Sequence, residues 1–517
     1  PENDCLAFEV SGPALSEGRL SVQFKFPYGS HKITASDWEN MTAHHIDTLA
    51  MDARHVSLKH TLDRDKYYIT IASENAADIE VGSHEVLVNP PVMDSFSFTV
   101  TFAEKEVFEY KKANEVLKAC RSWWKSYWEE GGIVQLNKSK DTRAVELERR
   151  IILSQYLMAI NSAGSTPPQE TGLTCNSWYG KMHLEMYLWH CAWLPLWNQT
   201  KLLERSLIWY IDHLKEAREN AARNGYKGAR WPKMIASEGI DCPSAVAPLL
   251  VWQQPHIIYM LELAYQRNPS NEFLNKYWIL IEETAEFMID FVNFNKDTGC
   301  YDIPSPVIPV QECHKPEETK NPAFEVEYWY VTLNIATKWA ERLGIDVNPK
   351  WKEVGDHMAP MAVKDGLYLA HELCPDTFEK FNRDHPSMTG SFGLLNGRVD
   401  ANIMRATLHK VLECWNYPSL WGWDFAMMAM TAVRLSEPDV AIDILMKDTF
   451  KNRYVVSGNN WQESRADLPL YLPGNGALLL AIPIMTAGYK GCTEDTPGFP
   501  KDGNWVVEFE GISPYFE

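Results

Sequence analysis

Residues 304–344 read PSPVIPVQECHKPEETKNPAFEVEYWYVTLNIATKWAERLG. The stretch opens as a proline-broken loop, where locked φ angles and missing N–H groups oppose regular structure. From Ala323 it turns into apolar and aromatic residues at helical spacing, and it ends at Gly344, the residue type that most readily takes the left-handed turn past a helix end. Within the loop a carboxylate (Glu312), a thiol (Cys313) and an imidazole (His314) stand side by side. The stretch therefore predicts a long helix fed by a loop that carries reactive groups.

Helical spacing recurs on both sides. Upstream lie RSWWKSYWEE (121–130), AVELERRIILSQYLMAINSAG (144–164), KMHLEMYLWHCAWLPLW (181–197), KLLERSLIWYIDHLKEARENAARNG (201–225) and FLNKYWILIEETAEFMIDFVN (273–293). Downstream lie RATLHKVLECW (405–415), WDFAMMAMTAVRL (423–435) and NGALLLAIPIMTAGY (475–489). About a dozen amphipathic helices must bury their apolar stripes on one another, and closing the array leaves no stripe uncovered. The first hundred residues differ. LSVQFKFPY (20–28), DKYYITIAS (65–73) and SFSFTVTFA (95–103) alternate with period two between turn-forming clusters, which predicts strands. The expected layout is a β-sandwich-like domain over 1–106, a helical linker over 107–139 and a helical domain over 140–517.

The 517 residues carry 49 Lys and Arg against 69 Asp and Glu, a net charge of -20. That balance argues against nucleic acid and anionic membrane as partners, since both attract clustered cations. No run approaches the roughly 18 apolar residues of a membrane span. The ten cysteines form no Cys-x-x-Cys pair, so neither a zinc ribbon nor a disulfide scaffold is indicated. The sequence starts at Pro1 without a leader-like run, which suits a processed chain; a periplasmic or extracellular site is the expectation, with a cytoplasmic one open.

Several interhelical loops are long and rich in Trp, Gly, His and acidic residues: 162–180, 228–255, 302–324, 376–404 and 453–477. Loops longer than about 12 residues usually have work to do. Cleaving a glycosidic bond takes one protonated carboxyl and one carboxylate that activates water or attacks directly. Glu312, after the apolar run VIPV, is a candidate acid, because desolvation favours the protonated form. Glu463 is a candidate base: Asn460, Trp461 and Gln462 precede it, and amides beside an aromatic suit sugar hydroxyls and ring faces. Asp467 is its rival in the same loop. Further candidates for holding a sugar are Trp178, Tyr179, His183, Glu185, Arg230, Trp231, Lys233, Gln253, His256, Trp423 and Asp424. Each has a plain structural alternative: an i,i+4 pair of Lys181 with Glu185, a satisfied buried His183, an N-cap at Asp424.

These segments resemble the clan of (α/α)6-barrel glycosidases, most nearly glycoside hydrolase family 65. YGKMHLEMYLWH is similar to that family's Gly-x-x-x-x-Asp helix start, with Gly180 matching and Glu185 at the aspartate. GARWP (228–232) resembles its Gly-Ala-aromatic-Pro loop, and His256 falls where the family opens a helix with histidine. QECHKPEE resembles its Pro-Asp-Glu-Tyr-His loop, with Glu312 at the general acid and His314 at the histidine; Gln311 and Cys313 replace the aspartate and tyrosine. The resemblance implies a mainly α (α/α)6 toroid behind a β-sandwich. It also implies an inverting, exo-acting glycoside hydrolase on oligosaccharides, α-linked and gluco-configured, with Glu312 as acid and Glu463 as base. No His-Ser-Ser phosphate cluster is found, which favours water over phosphate. No cofactor is needed; a cation among His183, Glu185, His190 or His314 is the minority alternative. The competing readings are a polysaccharide lyase or epimerase with Tyr and His as base and acid, and an inactive carbohydrate-binding protein. A homodimer is compatible with the sequence.

Overall fold

The computed structural model describes residues 4–107, 109–242, 244, 246–465 and 468–515, in two compact units, Pro1–Glu129 and Glu130–Glu517. In the first, Asp4–Ser11, Ser95–Ala103, Asp65–Ser73, His55–Leu62 and His44–Met51 form a five-stranded antiparallel sheet in that spatial order. A smaller sheet holds Val22–Lys25, Glu85–Asn89 and Asp78–Val81. Alternate residues point inward: Val56, Leu58, Ile69, Ile71, Phe96 and Phe98 meet Val86 and Val88 in one core, a sandwich as the period-two segments predict. Asp63, at φ 52, allows the two-residue turn between paired Leu62 and Asp65.

The unit boundary falls inside the expected 107–139 linker. Helix Ala113–Glu130 clusters almost wholly with the sandwich unit, whereas Ile133–Gln135 pairs with Glu508–Glu510 in the second unit.

The second unit is helical. His256–Arg267 packs on Asn271–Phe291, which packs on Ala323–Leu343; Gly422–Arg434 packs on Pro438–Leu445 and on Leu472–Thr486. Leu472–Thr486 in turn lies against Arg143–Ser162, so the last long helix meets the first. Local sequence explains the ends: the Ser270 side chain accepts from the Phe273 N–H at 3.1 Å, and Gly344, at φ 66, stops the helix of the opening stretch. Leu472–Thr486 is buried at every residue, and a Cβ at Gly476 would run into the Trp189 carbonyl oxygen, so glycine lets the two backbones touch.

KMHLEMYLWHCAWLPLW does not form one helix. Met182–His183 is a strand paired with Met234–Ile235, followed by short helices Tyr187–Cys191 and Trp193–Leu196. Residues 182–197 are all buried, so no polar face marks a period. Among the described residues no helix is long and apolar enough to cross a membrane.

Candidate active site

The Met182–His183 strand brings Glu185 beside Lys233: the Glu185 N–H donates to the Lys233 carbonyl at 3.2 Å, and Lys233 Nζ reaches Glu185 Oε2 at 2.9 Å. Trp252 Nε1 donates to the other oxygen, Oε1, at 2.9 Å. Lys233 Nζ also donates to Glu312 Oε1. One ammonium thus joins carboxylates 127 residues apart in sequence. Burial alone would lower the Lys233 pKa, but Glu185 and Glu312 outweigh it and raise it. Burial raises the pKa of Glu185, Lys233 opposes this, and the Glu312 charge adds to it. Glu170 lies in the same field. Its pKa is pushed well up by burial and then by Glu185, and its Oε2 has no hydrogen-bond partner among the described residues.

A second group faces Glu312 from another direction. His385 Nδ1 donates to Asp424 Oδ1 at 2.9 Å, its Nε2 lies 3.4 Å from Asp384 Oδ1, and its ring stacks on Trp423 at 4.0 Å. Burial would strip its charge, but Asp424, Asp384 and Glu312 overcome this and raise its pKa to about 9. His385 is therefore an imidazolium at neutral pH, on an aromatic face that favours a cation. Trp421 Nε1 donates to Asp384 Oδ1 at 3.2 Å. Asp424 is not the N-cap but the third residue of its helix, where Oδ2 accepts the Trp421 N–H at 2.8 Å. Trp423 also stacks on Trp189 and Trp252, at 4.9 and 6.1 Å, so an aromatic block links the two groups.

The carboxylates divide by exposure. The Glu185 and Asp424 side chains are 4% and 0% exposed; those of Glu312 and Asp384 are 30% and 22% exposed. Two carboxylates are sealed as supports and two open outward.

His314 belongs to a clamp beneath Glu312. The Leu373 N–H donates to His371 Nδ1 at 3.2 Å, which leaves His371 Nε2 to donate to His314 Nδ1 at 3.2 Å. His314 Nε2 then donates to Gln311 Oε1 at 3.1 Å, and the Gln311 amide donates to the carbonyls of Phe381 and Arg383. Burial lowers the pKa of His314 to about 3 and of His371 to about 4, so both rings are neutral. Cys374 lies close enough that one donor atom from each of His314, His371 and Cys374 falls within 4.8 Å of the others. A metal fits this trio poorly. The backbone donor at His371 Nδ1 keeps the ring proton on Nε2, so neither nitrogen offers a lone pair.

The remaining candidates make other contacts. His256 opens its helix and bonds the Glu185 carbonyl and the Tyr328 hydroxyl, both at 2.9 Å. Trp231 is buried with Nε1 on Thr284 Oγ1, and Gln253 Nε2 bonds the Trp231 and Leu250 carbonyls. Arg230 donates to the Pro248 carbonyl. His183 is buried near Lys233, with neither ring nitrogen partnered among the described residues. Trp178 lies under the Arg465 guanidinium at 5.0 Å; Tyr179 is exposed; both have positive φ, 43 and 66. The Asn460 N–H donates to Asn475 Oδ1, and its own Oδ1 accepts from Gln462, while Trp461 pairs in a short strand with Arg453. Glu463 forms an ion pair with Arg453, which is 42% exposed and also reaches Asp448. Asp467 lies outside the described residues. Sequence reasoning passed over Glu170, Trp252, Asp384 and His385. The signal for the last two was an acid–imidazole–proline triplet inside the long 376–404 loop.

No protein-family model matches the chain, and no curated protein matches it in sequence. Solved structures do match. One described as "Putative kojibiose phosphorylase from human microbiome" aligns over 95% of this chain and 74% of its own, with a TM-score of 0.68 and 10% identity. "Glycosidase Wild Type" covers 65% of this chain and 97% of its own, with a TM-score of 0.46 and 12% identity. A GH78 family rhamnosidase of Bacillus sp. GL1 covers 92% of this chain and 44% of its own, with a TM-score of 0.48 and 7% identity. The chain shares the fold of the first.

Proposed function

We propose that the chain is a glycoside hydrolase: an inverting, exo-acting enzyme on short α-linked, gluco-configured oligosaccharides, with Glu312 protonating the leaving oxygen. The observation that carries this is a group of four carboxyl groups, Glu185 and Glu312 on the Lys233 ammonium and Asp384 and Asp424 on the His385 imidazolium, with Glu170 in the same field and Trp423 stacked on His385. Glycosidic cleavage needs two carboxyls in unlike surroundings, and this group supplies open and sealed ones within one field. The excess of negative charge disfavours a phosphate dianion as nucleophile, so water is the reading preferred over phosphorolysis. We read the helical unit as an (α/α)6 array, supported by the packing of its last long helix on its first. Two carboxylates compete for the base: Glu463, nominated by sequence, and Asp384, a neighbour of the imidazolium.

The test is sugar release from a panel of disaccharides and aryl glycosides, with and without phosphate, by the wild type and Glu312→Gln. Phosphate-independent release that falls by about 100-fold or more in the variant supports the proposal, since general acid catalysis contributes roughly 10²–10⁴. Equal release from both proteins would remove Glu312 from the mechanism. A strict need for phosphate would make the enzyme a phosphorylase.

A further inference from the structure

We propose that Asp384 is the second catalytic carboxylate, the base that takes a proton from the attacking water opposite Glu312. The inference rests on the hydrolase reading and deepens it.

Four observations converge on Asp384. Both of its polar side-chain contacts, from His385 Nε2 and Trp421 Nε1, fall on Oδ1, and no hydrogen bond from the described residues reaches Oδ2. Glu312 is arranged the same way: Lys233 holds Oε1, and no hydrogen bond from the described residues reaches Oε2. Each carboxylate is tethered by one oxygen and presents the other. Asp384 feels the Glu312 charge, and no hydrogen bond joins the two among the described residues. His385 carries its proton at neutral pH and so holds Asp384 in the anionic form a base requires, while burial and the charges of Glu312 and Asp424 make that anion more basic.

The fourth observation is the clamp. The Gln311 amide bonds the carbonyls of Phe381 and Arg383, so a single side chain ties the residue before Glu312 to the residue before Asp384. Asp384 itself sits at φ 61, a left-handed conformation that aspartate tolerates better than most residues. Outliers held by surrounding bonds are common at working sites. Glu463 too is held by one oxygen, through the exposed Arg453, but among the described residues it has neither an imidazolium neighbour nor a tie to the Glu312 loop.

In the proposed step the water oxygen bonds to the anomeric carbon as the glycosidic C–O bond breaks. Glu312, 30% exposed, enters the step with a proton taken from solvent and passes it to the leaving oxygen; the water proton passes to Asp384. Charge and atoms balance, and no further reactant is needed.

Leaving-group dependence separates the two roles. We would assay wild type, Glu312→Gln, Asp384→Asn and Glu463→Gln on maltose, which needs acid assistance, and on α-glucosyl fluoride, which does not. Asp384→Asn should lose about 100-fold or more on both substrates, whereas Glu312→Gln should lose mainly on maltose. Asp384→Gly guards against a general loss of fold. Added azide should restore turnover of the fluoride by attacking the anomeric carbon as fluoride leaves with the electron pair, giving glucosyl azide of inverted configuration. Retained activity in Asp384→Asn, or azide rescue in Glu463→Gly instead, would overturn the assignment. Wild-type silence on both substrates would sink the gluco-specific hydrolase reading and this assignment with it; wild-type turnover with an indifferent Asp384 sinks the assignment alone.

Discussion

Two histidine systems near Glu312 carry opposite charge states. His385 faces Asp424, Asp384 and, at longer range, Glu312, and its pKa rises to about 9. His314 and His371 face each other, with Arg383 near the first and the Glu372 carboxylate near the second, and their pKa values fall to about 3 and about 4. Burial pushes all three rings the same way; the carboxylates at His385 decide the difference. One system thus carries a charge that Glu312 feels, and the other is neutral and bonded to the residue before Glu312.

The largest test of this contrast is Asp424→Asn. It leaves a buried imidazolium beside Asp384 alone, and breaking such a pair costs about 3–5 kcal/mol. Urea unfolding should show that loss, and the His385 pKa read by histidine NMR should fall from about 9. An unmoved pKa would mean that Asp424 is not what holds the proton.

Next in size is Gln311→Ala, which cuts the clamp at its centre and leaves the buried His314 donor without its acceptor, while the Phe381 carbonyl keeps the Arg383 N–H. An unmade buried bond costs about 1–3 kcal/mol. If the clamp positions Glu312 against Asp384, kcat should fall with little change in KM. A change in KM alone would assign Gln311 to substrate binding.

The pH dependence of stability should carry both systems with opposite signs. His385, with a folded pKa of about 9 against about 6.5 unfolded, contributes stability that is full below about pH 6.5 and is lost as pH rises toward 9. His314 and His371 bind protons more readily when unfolded, so stability drops as pH falls from about 6.5 toward 4. Asp424→Asn should flatten the alkaline limb, and His371→Gln the acid limb. Identical limbs in both variants would show that other groups set the profile.

What could be read in the sequence follows the same physics. The helix over 323–343 was legible because its apolar stripe has a period and Gly344 marks its end, whereas 182–197, buried on every side, offered no period to read. Glu185, Lys233, Glu312 and Asp424 could be nominated because each sits in a segment of distinctive composition. For Asp384 and His385 the Asp-His-Pro triplet was a faint signal, since what makes them matter is Asp424, 39 residues beyond His385. The amides around Glu463 look the same in sequence whether they bind sugar or backbone. In the fold the Asn460 N–H donates to Asn475 and its Oδ1 accepts from Gln462.

The smallest expected effect concerns zinc. His314, His371 and Cys374 have the residue types and closeness of a metal site, but every ring nitrogen already has a partner, and the Leu373 N–H on His371 Nδ1 fixes the tautomer. Binding an ion through His371 would require a buried backbone N–H to lose its acceptor, and would also break the ring-to-ring bond of the clamp. Zinc added at about ten times the protein concentration should therefore leave Tm within about 1 °C, since a ligand that binds only the folded state stabilises it in proportion to ln(1 + [L]/Kd). A stoichiometric zinc content after dialysis, abolished by Cys374→Ser, would show instead that the clamp gives way to a metal and that the neutral side of the comparison is wrongly drawn.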